Sequence, residues 1–136
     1  LDVLLMDMPP GTGDIQLTMA QRIPVTGALI VTTPSSLATA DVKRAVAMFE
    51  KTEIPVIGLV ENMAYLDAPD GSRLHPFGEG GTELAESLGL THLAALPIDA
   101  TIQAGNESGS PIVATTPEGS AAQAMDLMAA GVLQRI

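Results

Sequence analysis

Four short stretches of the chain are apolar without alternation: Val3 to Met6, Ala28 to Thr32, Val56 to Val60 and Leu93 to Leu96. Unbroken apolar runs of this length mark strands covered on both faces, as in a parallel sheet. Segments of helical period lie between them. From Asp14, the residues Ile15, Met19 and Ile23 recur every four positions until Pro24 closes the segment. From Ser36, a face of Val42, Ala45, Val46 and Phe49 predicts a second helix, with Ser35 or Ser36 placed to cap it. A shorter helix follows Gly81 and ends at Gly89, and a last one runs from near Pro117 to Leu133 with Ala121, Met125, Met128 and Val132 on one face. Strand and helix in alternation predict an α/β fold, a mostly parallel sheet with helices on both faces. The stretch Asn62 to Gly81, rich in Pro and Gly, interrupts the pattern and predicts a small hairpin turning at Asp70-Gly71.

Composition narrows the class. At 136 residues, 46% of them hydrophobic and 16% charged, the chain fits one globular domain with a real core. No apolar run approaches the roughly 18 residues of a membrane span. A net charge of −10 opposes a broad grip on nucleic acid or on anionic lipid, so neither is expected as a partner and any phosphate must be held locally. There is no cysteine, hence no disulfide and no thiolate metal site in these residues. The absence of a signal-peptide pattern makes a cytoplasmic location the default expectation. The chain opens on Leu1 inside a strand-like run, which suggests part of a larger domain, with exposed apolar surface and self-association as a consequence.

The chemistry concentrates in Asp7-Met-Pro-Pro-Gly-Thr-Gly-Asp14. In open α/β sheets ligands sit beyond the carboxyl ends of strands, where Asp7 falls, and phosphoryl-transfer proteins place an aspartate there for Mg²⁺. Many α/β loops also begin with Asp for no such reason. Pro9 and Pro10 fix the backbone, while Gly11 and Gly13 permit close approach of a phosphate and later movement of the loop. Asp14 is open to two readings: the cap of the helix that follows, which the local sequence favours, or a water-positioning switch residue.

The whole string resembles the Walker B and switch II segment of the Mrp/ApbC family, deviant-Walker P-loop ATPases of the MinD-like class that carry iron–sulfur clusters. The resemblance continues through "GALIVTTPSSLATADVKRAVAMFEKTEIPVIGLVENMAY", "FGEGGTELAESLGL" and "LPIDATIQAGNESGSPIV". It implies ATP and Mg²⁺ as ligands, a homodimer, and iron–sulfur apo-proteins or assembly factors as partners. It also implies Asp7 as the Mg²⁺ aspartate acting through water, Asp14 as a catalytic-loop residue, and Pro10, Gly11, Thr12 and Gly13 as the phosphate-sensing switch. Asn62 matches a position that contacts the adenine base, and Pro97 to Asp99 match the loop beside it. From the residues alone, an Asn that caps its own loop is the commoner explanation for position 62.

Two departures qualify the resemblance. No Gly-rich, lysine-bearing phosphate loop is present, and Lys43 and Lys51 fall on a helix where they should face solvent, so residues 1–136 read as a partial NTPase domain unable to hydrolyse ATP alone. Where many relatives carry Cys-x-x-Cys, this chain reads Ala68 and Gly71. Asp67, Asp70 and His75 could substitute as ligands, against the simpler reading of a solvated hairpin tip. His92 reads as an ordinary edge residue, "GNESGSPIV" as a loop, and Glu79, Glu83 and Glu86 as a solvated face. A non-enzymatic nucleotide-dependent scaffold and a MinD/ParA-like positioning ATPase are the competing functions.

Overall fold

The computed structural model describes residues 1–9 and 14–136. In chain order the elements are α1 (Asp14–Arg22), β1 (Ala28–Thr32), α2 (Thr39–Lys51), β2 (Val56–Asp67), β3 (Arg73–Leu74), α3 (Gly81–Ser87), β4 (His92–Pro97), α4 (Ala100–Ser108), α5 (Ile112–Thr115) and α6 (Ser120–Leu133). β2 is central: β1 and β4 pair with it in parallel, and β3 returns against its far end in an antiparallel hairpin. The parallel α/β expectation holds.

Both faces of the sheet are covered. Leu59 of β2 and Ile30 of β1 pack with Val42 and Val46 of α2 and Leu84 and Ala85 of α3. Because side chains alternate along a strand, Gly58 points the other way, where it meets Leu93, which in turn lies close to Gly131 of α6. Smaller clusters anchor the ends. Ala20 of α1 packs with Ala28 and Ile54, and Ile112 of α5 with Ala121 and Ala122 of α6.

Helix starts follow local chemistry. Ser35 takes the capping role, accepting the Leu37 N–H at the 3₁₀ turn Ser36–Ala38 that leads into α2. Gly89 adopts φ 65° just past α3, and Gly71 adopts φ 84° in the predicted hairpin turn. Lys43 and Lys51 are exposed on α2, as expected.

Three expectations are corrected. Val3 to Met6 form no strand; Leu4 and Leu5 are 68% and 83% exposed, and no described strand pairs with them. An apolar run becomes a strand only with a hydrogen-bonding neighbour, and among the described residues this segment has none. β2 does not stop at Val60 but extends to Asp67, because polar Glu61 and Asn62 interrupt the apolar run without ending the extended backbone. "GNESGSPIV" is not a loop: α4 runs through Ser108 and closes on Gly109 at φ 68°, and α5 begins after Pro111. Gly105, which suggests a turn, sits inside α4 because a Cβ there would lie 2.8 Å from the Ser110 carbonyl.

β1 has β2 on one side and no described strand on the other, and its Val31 is 59% exposed. A compact 14.0 kDa monomer exposes about 6,700 Å², whereas this chain exposes 8667 Å². An open edge beside excess apolar surface is a template for pairing between chains. The isolated chain is expected to self-associate, with a sedimentation-derived mass that rises with concentration; a clean monomer at high concentration would contradict this.

Candidate functional site

Because β1, β2 and β4 run parallel, their carboxyl ends lie at one end of the sheet: Thr32 and Thr33 stand beside Glu61 and Asn62, while Pro97 pairs with Tyr65 further along β2 and, with Ile98 and Asp99, lines a separate hollow beside Leu66 and Asp67. An open cleft of about 790 Å³ lies along this end of β1, between Thr32, Thr33 and Asn62 on the strands and Asp41, Arg44 and Ala45 on α2. Arg44 is paired with Asp41 one turn back.

Asn62 enters the cleft half-buried, at an irregularity in the β2–β4 ladder between Glu61 and Tyr65. Its Oδ1 accepts the N–H of Met63 at 3.0 Å, and Met63 stands at φ 57°, the left-handed region that few non-glycine residues enter. The side chain thus braces its own turn while lining the cleft. Pro97 is buried at the end of β4 opposite Tyr65, whose carbonyl accepts the Ile98 N–H.

Asp99 caps α4. Its Oδ1 accepts the Thr101 N–H at 2.8 Å and the Thr101 hydroxyl at 2.6 Å. The hydroxyl first, and then the amide, hold this carboxyl below its ordinary value. A depressed carboxylate contributes stability that is present above its unfolded pKa and is lost as pH falls through the folded one. Asp99→Ala is expected to cost about 0.5–1 kcal/mol at neutral pH, the lower half of the capping range because solvent screens the charge. Asp99→Asn should keep the cap yet lose less stability than the parent between about pH 4 and pH 3, in urea denaturation at both values.

Asp7 is exposed, without regular secondary structure, and makes no hydrogen bond or ion pair with other described residues. Asp14 is the first described residue of α1, an exposed acid in its first turn, where negative charge is favoured by the helix end. Pro10, Gly11, Thr12 and Gly13 lie outside the described residues.

A buried carboxylate that the sequence reading passed over is Glu61, only 6% exposed. Its Oε1 accepts the Gly81 N–H at the start of α3 at 3.0 Å, and its Oε2 lies 3.3 Å from His92 Nε2. That nitrogen is buried and off the hydrogen-bonding direction, so the pair is close without a well-formed bond. His92 is therefore no ordinary edge residue. The legible signal was an acidic residue directly after a fully apolar strand, followed later by Gly80-Gly81 at a helix start.

The family profile of the ParA/NUBPL iron-transfer P-loop NTPases matches residues 1–133. The chain belongs to that family. It is 46% identical over 138 residues to an iron–sulfur cluster carrier protein of Aquifex aeolicus, covering 100% of this chain and 38% of the relative. An iron–sulfur cluster transfer protein NUBPL of Dictyostelium discoideum is 50% identical over 120 residues, covering 87% of this chain and 37% of the relative. In three dimensions it is similar to a nucleotide-binding protein of Archaeoglobus fulgidus solved with ADP, at TM-score 0.67 and 42% identity, covering 75% of this chain and 43% of that one. The chain spans between 25% and 42% of the length of the curated relatives it matches.

In this NUBPL-family chain the segment after Asn62 is a closed hairpin. Asp67 pairs with Arg73 at 2.9 Å, and the Arg73 guanidinium stacks 3.6 Å above the Tyr65 ring. Asp70 accepts the Ser72 hydroxyl and N–H, which hold its carboxyl below the ordinary value. His75 Nδ1 contacts the Ala64 carbonyl and its Nε2 lies 3.2 Å from Glu79. The three candidate substitute ligands are each engaged elsewhere, and among the described residues no group of three or more His, Asp or Glu side chains converges as a metal site. Asp67, Asp70 and Gly71 are exposed at the tip. No described helix is long and apolar enough to cross a membrane.

Proposed function

We propose that residues 1–136 form the Walker B and switch II part of an ATPase that carries iron–sulfur clusters, working as a cytoplasmic homodimer that passes clusters to apo-proteins or assembly factors. The observation that carries this reading is the position of Asn62 and the Pro97–Asp99 turn at the carboxyl end of one parallel sheet, in a chain matched over residues 1–133 by an iron-transfer NTPase family. Asn62 and the Pro97–Asp99 turn flank the adenine base, and Pro10 to Gly13 follow the terminal phosphate. Asp14 couples that loop to α1.

Mg²⁺ bound to phosphates needs only one or two protein carboxylates and keeps several waters. Asp7, exposed and with no partner among the described residues, suits that mode of binding. When bound, Mg²⁺ neutralises phosphate charge during transfer. Asp7 would hold the ion through water, and Asn62 would orient the base. The cluster is cargo, and its thiolates come from outside this cysteine-free segment.

Because the lysine and backbone cradle of a phosphate loop are not among these residues, the isolated chain is expected to show no Mg²⁺-dependent ATP hydrolysis. Turnover by this chain that disappears in Asp7→Ala would refute the half-site reading. Anaerobic reconstitution of full-length protein, with iron and acid-labile sulfide measured per dimer, tests the cargo. Absence of both would favour the nucleotide-dependent scaffold, the alternative that Ala68 and Gly71 at the expected cysteine positions support.

A further inference from the structure

Glu61 is the only carboxylate among the described residues that is buried. Removing a carboxylate from water costs several kcal/mol unless it is paired and hydrogen-bonded. Here one hydrogen bond and one close neighbour meet it. The Gly81 N–H reaches Oε1 at 3.0 Å and the imidazole of His92 lies 3.3 Å from Oε2. A Cβ on Gly81 would fall 2.2 Å from the carboxylate carbon and 2.5 Å from each oxygen, so the carboxylate occupies the volume a side chain would need. Glu61 thereby ties β2 to the first residue of α3 and the first residue of β4.

The next two residues explain why such a tie is useful. The β2–β4 register shifts between Glu61 and Tyr65, Asn62 lines the cleft inside that irregularity, and Met63 stands at φ 57°. A non-glycine residue in the left-handed region persists where its surroundings over-determine it. On the far side of the turn, Ala64 meets His75 through its carbonyl and Tyr65 accepts the Ile98 N–H. On the near side the fixed point is Glu61.

We propose that Glu61 is a positioning residue for Asn62: by bridging the Gly81 amide and His92, its carboxylate sets where the Asn62 amide enters the cleft, and so tunes recognition of the purine base. This rests on the reading in which Asn62 meets that base. Misplacement of a recognising group by about an ångström is enough to cost an order of magnitude or more.

The test uses full-length protein and three ligands: ATP, ITP (which lacks the adenine amino group) and inorganic tripolyphosphate. Glu61→Ala is expected to weaken ATP binding roughly tenfold and to reduce the preference for ATP over ITP, with tripolyphosphate affinity unchanged. Glu61→Gln keeps an oxygen for the Gly81 N–H and should recover ATP affinity to within about twofold. Should Glu61→Ala not fold, Gly81→Ala, which displaces the carboxylate without removing it, should give the same ligand pattern. If Asn62→Ala removes the ATP preference while both Glu61→Ala and Gly81→Ala retain it, the positioning role is wrong and the base reading stands. If Asn62→Ala itself leaves the preference intact, the base reading fails and takes this proposal with it. A parallel loss of tripolyphosphate affinity in folded Glu61→Ala would make Glu61 a general structural residue and overturn the proposal.

Discussion

Leu59→Ala should destabilise the chain by about 3 kcal/mol, among the largest effects of any single truncation. Leu59 is fully buried where Ile30 of β1, Val42 and Val46 of α2, and Leu84 and Ala85 of α3 converge. Removing its isobutyl tip leaves a cavity bounded by three elements that cannot all move inward, because β2 is held by ladders on both sides. A domain of ordinary stability has about 5–15 kcal/mol in hand, so the variant should melt well below the parent. Urea denaturation at protein concentrations low enough to suppress association should show a lower midpoint with unchanged slope. Leu127→Ala, at a position 73% exposed on α6, is the control and should change stability by less than about 0.5 kcal/mol. A loss below about 1 kcal/mol for Leu59→Ala would mean that α2 and α3 do not meet over β2 as described.

Gly58→Ala tests the opposite face by adding atoms. The new Cβ would fall 2.4 Å and 2.5 Å from Leu93 Cδ1 and Cγ, and 2.9 Å from the Thr91 carbonyl. The leucine can change rotamer, but Thr91 is backbone and its carbonyl accepts the Leu59 N–H at 2.8 Å. Relief therefore requires β4 to shift from β2. Overpacking of this kind costs about 2–3 kcal/mol, at the upper end because a ladder bond is strained. Leu93→Ala in the same chain should recover part of the loss by vacating the first two contacts, and the double variant should be more stable than the sum of the singles predicts. Strict additivity would show that Gly58 and Leu93 do not touch.

The parts of the fold legible in the sequence were those set by local chemistry. The four-residue spacing of Ile15, Met19 and Ile23 with Pro24 marked α1, and Asp70-Gly71 marked the hairpin. What was not legible depended on neighbours distant in sequence. Val3 to Met6 have the pattern of a strand but no described partner, while Glu61 lacks the pattern and remains in a strand because Thr32 of β1 and Ala95 of β4 pair with it. Gly105 reads as a turn until the Ser110 carbonyl is found beside it. For the candidate site, Asn62, Pro97 and Asp99 were reached through resemblance to a family, and the structure adds their local work: a self-braced turn, a buried strand end, a helix cap. Glu61 was missed because burial of an acid is invisible until both Gly81 and His92 have folded around it.

The central place of β2 also constrains how the chain reaches this structure. Its only sequence-local pairing is the short hairpin of Leu66 with Leu74 and Asp67 with Arg73, which can close within microseconds. Leu59 instead pairs with Ile30 and His92, and Val60 with Val31 and Ala94, far along the chain on either side, and each closure must overcome loop entropy before the apolar contacts repay it. During synthesis β2 therefore leaves the ribosome with β1 available but β4 not yet made. The strand that carries the fully buried Leu59 and Val60 spends that interval with one edge open, which makes the delay between Val60 and Leu96 the period in which a growing chain is most exposed to misassembly.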